Sequence, residues 1–285
     1  MSDYICPGVD DVVALVRERE AVRILHDAGA PEPWSADPLF TTYYFCNVHR
    51  EDDKVTKWLA ANWRNRHALD PDLWFAFAVF RRGLNNPVTA ELLGYPVPWD
   101  PDHYRATYAA RYAEGKPWLR SAYMMPCAGY SYKIGPGTLA NEQCKILDPV
   151  WAAREFIRPK PGDSLQSLYE RLLAQKWFSS FYSGQIIADL KYVQLTDAPD
   201  WWTFVAPGPG SRRGLNRLLG RKPTAGMTDK EWVAQFRLFE TALNQRTRDF
   251  GQFHSQDIQN VLCEYDKVCR IRSGVKCNVR KRKKF

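Results

Sequence analysis

Apolar residues recur along this chain at intervals of three and four, and alternating strand patterns are few. That periodicity predicts helices. Val12, Leu15, Val16, Val22 and Leu25 share one helical face, and Gly29 and Pro31 end the segment. Asp37-Pro38 pairs a cap with proline at the first helical position and opens a segment through Phe40, Tyr43 and Tyr44. A further helix carries Val55, Trp58, Leu59 and Asn62. Asp70-Pro71 then leads into LWFAFAVF, apolar on every side and so expected in a core, before Gly83 and Asn85-Asn86-Pro87 stop it. Residues 123–139 hold three glycines and two prolines and read as either a long loop or a short hairpin.

Asp148-Pro149 is expected to start another helix, and Pro159-Lys160-Pro161-Gly162 breaks the chain again. Beyond that break, Asp163 with Gln166 resembles a capping box ahead of Leu165, Leu168, Leu172 and Lys176. Gly184 precedes Ile186, Ile187 and Leu190. Thr228 with Glu231 forms a second capping box before Trp232, Phe236, Phe239 and Leu243. Ile258, Val261, Leu262, Tyr265, Val268 and Cys269 make a last apolar stripe that ends at Gly274. The expected class is all-α, with helical lobes over residues 1–158 and 159–274 and a basic tail over 275–285.

Composition narrows the function. With 285 residues, 45% of them hydrophobic, and 11 tryptophans, the chain can build a sizeable core. Its formal charge of +8 favours an anionic partner. No apolar run approaches the roughly 20 residues that span a bilayer, and MSDYICPGVDD lacks the pattern of a secretory signal, so no membrane association and a cytoplasmic location are expected. Seven scattered cysteines suit a reducing compartment. Cys263, Cys269 and Cys277 lack a fourth ligand and make a poor metal site, so no metal ligand is assigned.

The sharpest local feature is Pro207-Gly208-Pro209-Gly210-Ser211-Arg212-Arg213-Gly214-Leu215-Asn216-Arg217, a glycine turn running into a basic helix. Glycines permit close backbone approach, and a helix start receives anions, so a DNA phosphate is the expected ligand against the plainer reading of a capping loop with solvated arginines. G-x-x-x-x-G-K-[ST] is absent, which argues against a nucleotide-driven kinase. Asp189 lies on a mostly apolar segment, where a carboxylate is costly to bury unless paired; exposure beside Lys191 is the alternative. In FCNVHREDDK (45–54), Arg50 stands one turn from Asp53 and from Lys54, which also fits a surface ladder. Glu264 and Lys267 are three apart and can pair, while Asp266 and Lys267 flank the last apolar stripe. The tail with Lys276, Arg280, Lys281, Arg282, Lys283 and Lys284 is expected to hold DNA electrostatically.

Four stretches carry a resemblance: FCNVHREDDKVTKWL (45–59), GQIIADLKY (184–192), DAPDWWTFVAPGPGSRRGLNRLLG (197–220) and VLCEYDKVCR (261–270). They resemble the helical proteins of thymidine hypermodification in bacteriophage DNA, the α-glutamyl/putrescinyl-thymine pyrophosphorylases or amino-acid:DNA transferases, which are related to the helical domain of 5-hydroxymethyluracil DNA kinases. The resemblance implies a fold like the helix-hairpin-helix DNA glycosylases. It also implies double-stranded DNA with phosphorylated or pyrophosphorylated 5-hydroxymethyluracil as substrate, and an amino acid or polyamine as co-substrate. A 5-hydroxymethyluracil DNA kinase is an implied partner and the host cytoplasm the implied location. It places Asn47, Arg50, Asp52, Asp189, Gly208, Gly210, Arg213, Gly214, Asn216, Glu264, Asp266 and Lys267 among the functional residues. Asp189, Asp266 and Glu264 are the candidate bases. Asn47, Arg50, Asp52, Arg213, Asn216 and Lys267 are expected to meet substrate, and Gly208, Gly210, Ser211, Arg212 and Gly214 the DNA backbone. No cofactor is required, and a divalent ion accompanying pyrophosphate fits the scheme. A glycosylase or lyase, and a non-catalytic DNA-binding partner of a kinase, are the alternatives.

Overall fold

The computed structural model describes residues 8–116 and 136–275, so most of the glycine-rich middle and all of the basic tail after Val275 lie outside the described residues. In chain order the helices are α1 (Val9–Asp27), α2 (Pro38–Thr42), α3 (Lys54–Leu59), α4 (Leu73–Ala78), α5 (Pro87–Leu93), α6 (Pro101–Ala113), α7 (Pro136–Ala152), α8 (Arg154–Ile157), α9 (Leu165–Leu173), α10 (Ser180–Leu190), α11 (Pro209–Leu218), α12 (Asp229–Arg246) and α13 (Ser255–Arg272). Two π-helical turns, Ala60–Arg64 and Val79–Leu84, continue α3 and α4. The described residues contain no β-strand, in keeping with the helical periodicity of the sequence.

The chain forms two compact units. One joins residues 1–53 to 205–285; the other is the intervening stretch 54–204. The expected division at 158/159 therefore falls inside the second unit. The Pro159–Gly162 break is an exposed turn between α8 and α9, and a local break in periodicity does not report which helices share a core.

In the first unit α1 packs against α12 and α13, and α11 lies along α13. Val12, Val16, Leu215, Trp232, Phe236, Phe239, Leu243, Ile258 and Leu262 form its fully buried centre. Leu25 departs from the expected face and is exposed, within the last turn of the helix. The Thr228–Glu231 capping box forms as expected, with the Glu231 N–H donating to Thr228 Oγ1 at 3.2 Å and the Thr228 N–H to Glu231 Oε2 at 2.8 Å. In the second unit every residue from Leu73 to Phe80 is completely buried, as the all-round apolar pattern requires. Asn85, in the left-handed region at φ 42°, ends this segment.

Local starts differ in three places. Helix α7 runs through Asp148-Pro149, with Pro149 inside it, because Asp148 accepts from Trp99 Nε1 at 2.7 Å instead of capping a new helix. The cap of α9 is Ser164, whose Oγ accepts from the Ser167 N–H at 3.0 Å; Asp163 instead binds Arg171 and Ser167. Gly184 sits within α10 and not before it.

Gly210 and Gly214, one turn apart on α11, face α13. A Cβ on Gly210 would stand 2.9 Å from Cys263 Sγ, and one on Gly214 would overlap the Leu262 carbonyl. Their small size serves helix-to-helix approach. Gly214→Ala is expected to lower stability by about 1–3 kcal/mol or more in chemical denaturation, since backbone blocks the new methyl. Gly226→Ala, which meets nothing within 4 Å, is the control and should stay within about 0.5 kcal/mol of wild type.

Candidate active site

Residues 45–49 run without regular structure into a 3-10 turn at Arg50–Asp52, so their backbone polar groups and the first N–H of that turn need partners from elsewhere. Two carboxylates of α13 and one guanidinium of α1 supply them. The Cys46 N–H donates to Glu264 Oε2 at 3.2 Å and the Arg50 N–H to Asp257 Oδ1 at 3.0 Å. Asp257 and Glu264 are seven residues apart, two turns along one helix face. From the other side, Arg19 donates to the carbonyls of Cys46 at 3.2 Å and Phe45 at 3.0 Å, and to Asn47 Oδ1 at 3.0 Å. Asn47 Nδ2 in turn donates to the Asp52 carbonyl at 2.9 Å, and Asp52 lies 3.4 Å from Arg23 Nε. Arg50 is buried, unlike a member of a surface ladder.

Asp257 is almost fully buried and gathers both histidines of this region. His49 Nδ1 is 3.6 Å and His254 Nε2 3.2 Å from its Oδ2. Hydrogen bonding to Asp257 raises the His49 pKa above its ordinary 6.5, against the lowering effect of burial.

Helix α13 carries two further charged groupings. Glu264 Oε1 accepts from Lys267 Nζ at 2.5 Å. Burial alone would lower the Lys267 pKa, but Glu264 outweighs it and the ammonium is held more firmly than usual. The same carboxylate pushes the Cys46 thiol up to about 12, and burial followed by Glu264 does the same to Cys263. On the neighbouring face Asp266, 1% exposed, accepts from Arg213 Nε at 2.7 Å and Arg217 Nε at 2.9 Å. Each arginine thus uses only its inner nitrogen among the described residues. The outer nitrogens of both remain available, with side chains 35% and 23% exposed. Two guanidiniums fixed by one buried carboxylate form a fork suited to a phosphate.

The remaining expected residues have structural partners. The Gly208 N–H donates to Ser211 Oγ at 3.0 Å. Arg212 reaches the Met227 carbonyl at 2.9 Å and pairs with Asp229. Asn216 Nδ2 holds the following loop through the carbonyls of Pro223 at 3.1 Å and Ala225 at 2.9 Å. Asp189 belongs to the second unit, so the first unit does not gather it with Glu264 and Asp266. It is buried and accepts from Arg81 Nε at 2.6 Å and Nη2 at 2.9 Å, and Arg81 Nη1 reaches Asn85 Oδ1 at 3.1 Å. Pairing, not exposure beside Lys191, accounts for this carboxylate. Sequence reasoning missed Arg19, Arg81 and Asp257, because a charged residue on a helix looks solvated unless its partner is known.

The described helices include none long and apolar enough to cross a membrane. Over residues 7–276 the chain matches the family described as the 5-hmdU DNA kinase helical domain, and it belongs to that family. A curated relative, the 5-hmdU DNA kinase of Bacillus phage SP10, is 26% identical over 214 residues, which is 67% of this chain and 33% of the relative. The chain thus spans about a third of the length of the relative it matches. No solved structure matches it.

Two outcomes follow from the geometry. A group whose pKa is raised on folding stabilises most below its unfolded value, and that contribution fades as pH climbs through the folded one. Stability should therefore fall as pH rises above about 6.5, and His49→Gln should flatten that dependence in denaturation series at several pH values. Asp189→Ala leaves Arg81 buried without its carboxylate and should cost about 3–5 kcal/mol in chemical denaturation.

Proposed function

We propose that this protein takes part in thymidine hypermodification as a DNA-modifying transferase. It displaces phosphate or pyrophosphate from phosphorylated 5-hydroxymethyluracil in DNA and attaches an amino acid or polyamine to the 5-methylene. The observation that supports this reading is the pair of α11 guanidiniums held by Asp266, which shares α13 with Glu264, a carboxylate already engaged by an ammonium. Membership of the 5-hmdU DNA kinase helical-domain family supplies the DNA and the base.

In this scheme the modified base leaves the stack, as chemistry on a base in duplex DNA requires. Arg213 and Arg217 take the phosphoryl oxygens and stabilise the charge that builds on them as the bond to carbon breaks. Asp266 positions the two arginines and is not the base. Glu264 is the proton acceptor, with Lys267 marking the place of the incoming ammonium, since both present the same –NH3+ group to its Oε1. The amine gives a proton to Glu264 and its nitrogen bonds to the 5-methylene carbon. The carbon–oxygen bond breaks, and the electron pair leaves with phosphate or pyrophosphate. Asn47, Arg50 and Asp52 set the height of the segment beside Glu264, and Asp189 serves Arg81 in the second unit. A glycosylase-like helix-hairpin-helix arrangement remains part of this proposal.

A second reading is a DNA-presenting module of a kinase, favoured by the fact that the matched relative is about three times as long. The purified protein would be incubated with DNA bearing phosphorylated or pyrophosphorylated 5-hydroxymethyluracil and a mixture of amino acids and polyamines, then digested to nucleosides for mass spectrometry. A nucleoside heavier by one amine is expected. Glu264→Gln should lower kcat by about 10²–10⁴-fold, and Arg213→Ala should also slow turnover while folding is kept. Unchanged nucleoside with DNA bound moves the conclusion to the module, and abasic sites move it to a glycosylase.

A further inference from the structure

Trp177 stands where its side chain does not suit the backbone. After α9 the chain turns at Gln175–Phe178, where the Phe178 N–H donates to the Gln175 carbonyl at 3.1 Å. The third residue of this turn, Trp177, has φ 74°. A type II turn requires that region at that place, and glycine or asparagine normally fills it. With an indole the Cβ crowds the neighbouring carbonyl, and the backbone is strained.

Burial of the ring could offset that strain, yet Trp177 is 44% exposed. Of the three non-glycine residues at positive φ among the described residues, Asn85 is a tolerant type and buried, Leu195 is half-buried, and Trp177 alone is exposed. Its ring contact among the described residues is Lys176, with Nζ 5.3 Å from the centroid. Strain held at an exposed position points to a partner, not to the core.

The surroundings say what kind of partner. Lys176 is exposed beside the ring. Two residues on, Ser179 caps α10 without a side-chain hydrogen bond, which brings the positive end of that helix dipole to the turn. An aromatic face flanked by positive charge matches a nucleobase with its phosphate. We propose that Trp177 is a base-stacking platform: its indole stacks on an unpaired nucleobase of DNA while Lys176 and the start of α10 meet the adjoining phosphate. The inference rests on the reading that this protein handles DNA and adds a contact that reading does not contain.

The test uses the full chain and fluorescence anisotropy with two labelled single strands of equal length, one of thymidines and one abasic at its central positions. Wild type should bind the thymidine strand about 10-fold more tightly than the abasic one. Trp177→Gly should abolish that preference, leave the abasic Kd unchanged and melt no lower than wild type, since glycine suits the turn. Trp177→Tyr should keep most of the preference and Trp177→Leu should lose it, which holds the question open to measurement if the glycine variant fails to fold. A preference that survives in Trp177→Gly or Trp177→Leu overturns the platform, as does equal loss on both strands or a Tm well below wild type for Trp177→Gly. Wild type with no affinity for either strand removes the DNA reading itself; affinity with a preference indifferent to Trp177 removes only the platform.

Discussion

The first unit depends on one row of carboxylates along α13. A stretch of chain outside helix and sheet must find partners for its amides, and Cys46 and the turn start at Arg50 find theirs on Glu264 and Asp257. Removing either carboxylate would leave an amide of this segment without its partner and shift Asn47 and Arg50 with it. Arg19 fixes the carbonyls of Phe45 and Cys46, and the Asn47 and His49 side chains add contacts to Arg19 and Asp257. Helix α13 thus carries the carboxylates that hold this segment and the one that receives Arg213 and Arg217.

The close approach of α11 to α13 sets the reach of the second charged grouping. Gly210 and Gly214 remove the side chains that would hold the helices apart. Arg213 and Arg217, also one turn apart on α11, then meet Asp266 through their inner nitrogens. A wider spacing would let the arginines point into solvent independently, and the outer nitrogens would lose their common orientation. The glycines are thus tied to the Arg213–Asp266–Arg217 cluster through the spacing of the two helices.

Much of the architecture was legible because periodicity and capping are local. The buried run Leu73–Phe80, the Thr228 capping box and the last stripe ending at Gly274 follow from residue types a few positions apart. Partnerships over long sequence distance were not legible. Nothing near Asp189 names Arg81, nothing near Cys46 names Glu264, and the carboxylate that receives Arg213 and Arg217 lies some fifty residues further on. The same limit hid the discontinuous first unit. Pro149 misled because proline permits a helix start but does not compel one, and the packing of α7 against α6 outweighed it. The glycine turn was read as a ligand cradle because glycine tolerates any close neighbour, and the sequence does not say which neighbour comes.

Because the first unit is built from two stretches separated by residues 54–204, its parts emerge from the ribosome far apart in time. The stretch 54–204 has its whole core in hand once it is made and can fold as a unit. Helix α1, by contrast, displays Val12, Leu15 and Val16 with no α12 or α13 to receive them until the stretch after residue 204 has been made. Newborn chains therefore pass through a stage in which one half is finished and an apolar helix waits uncovered, a natural target for chaperones that recognise such surfaces.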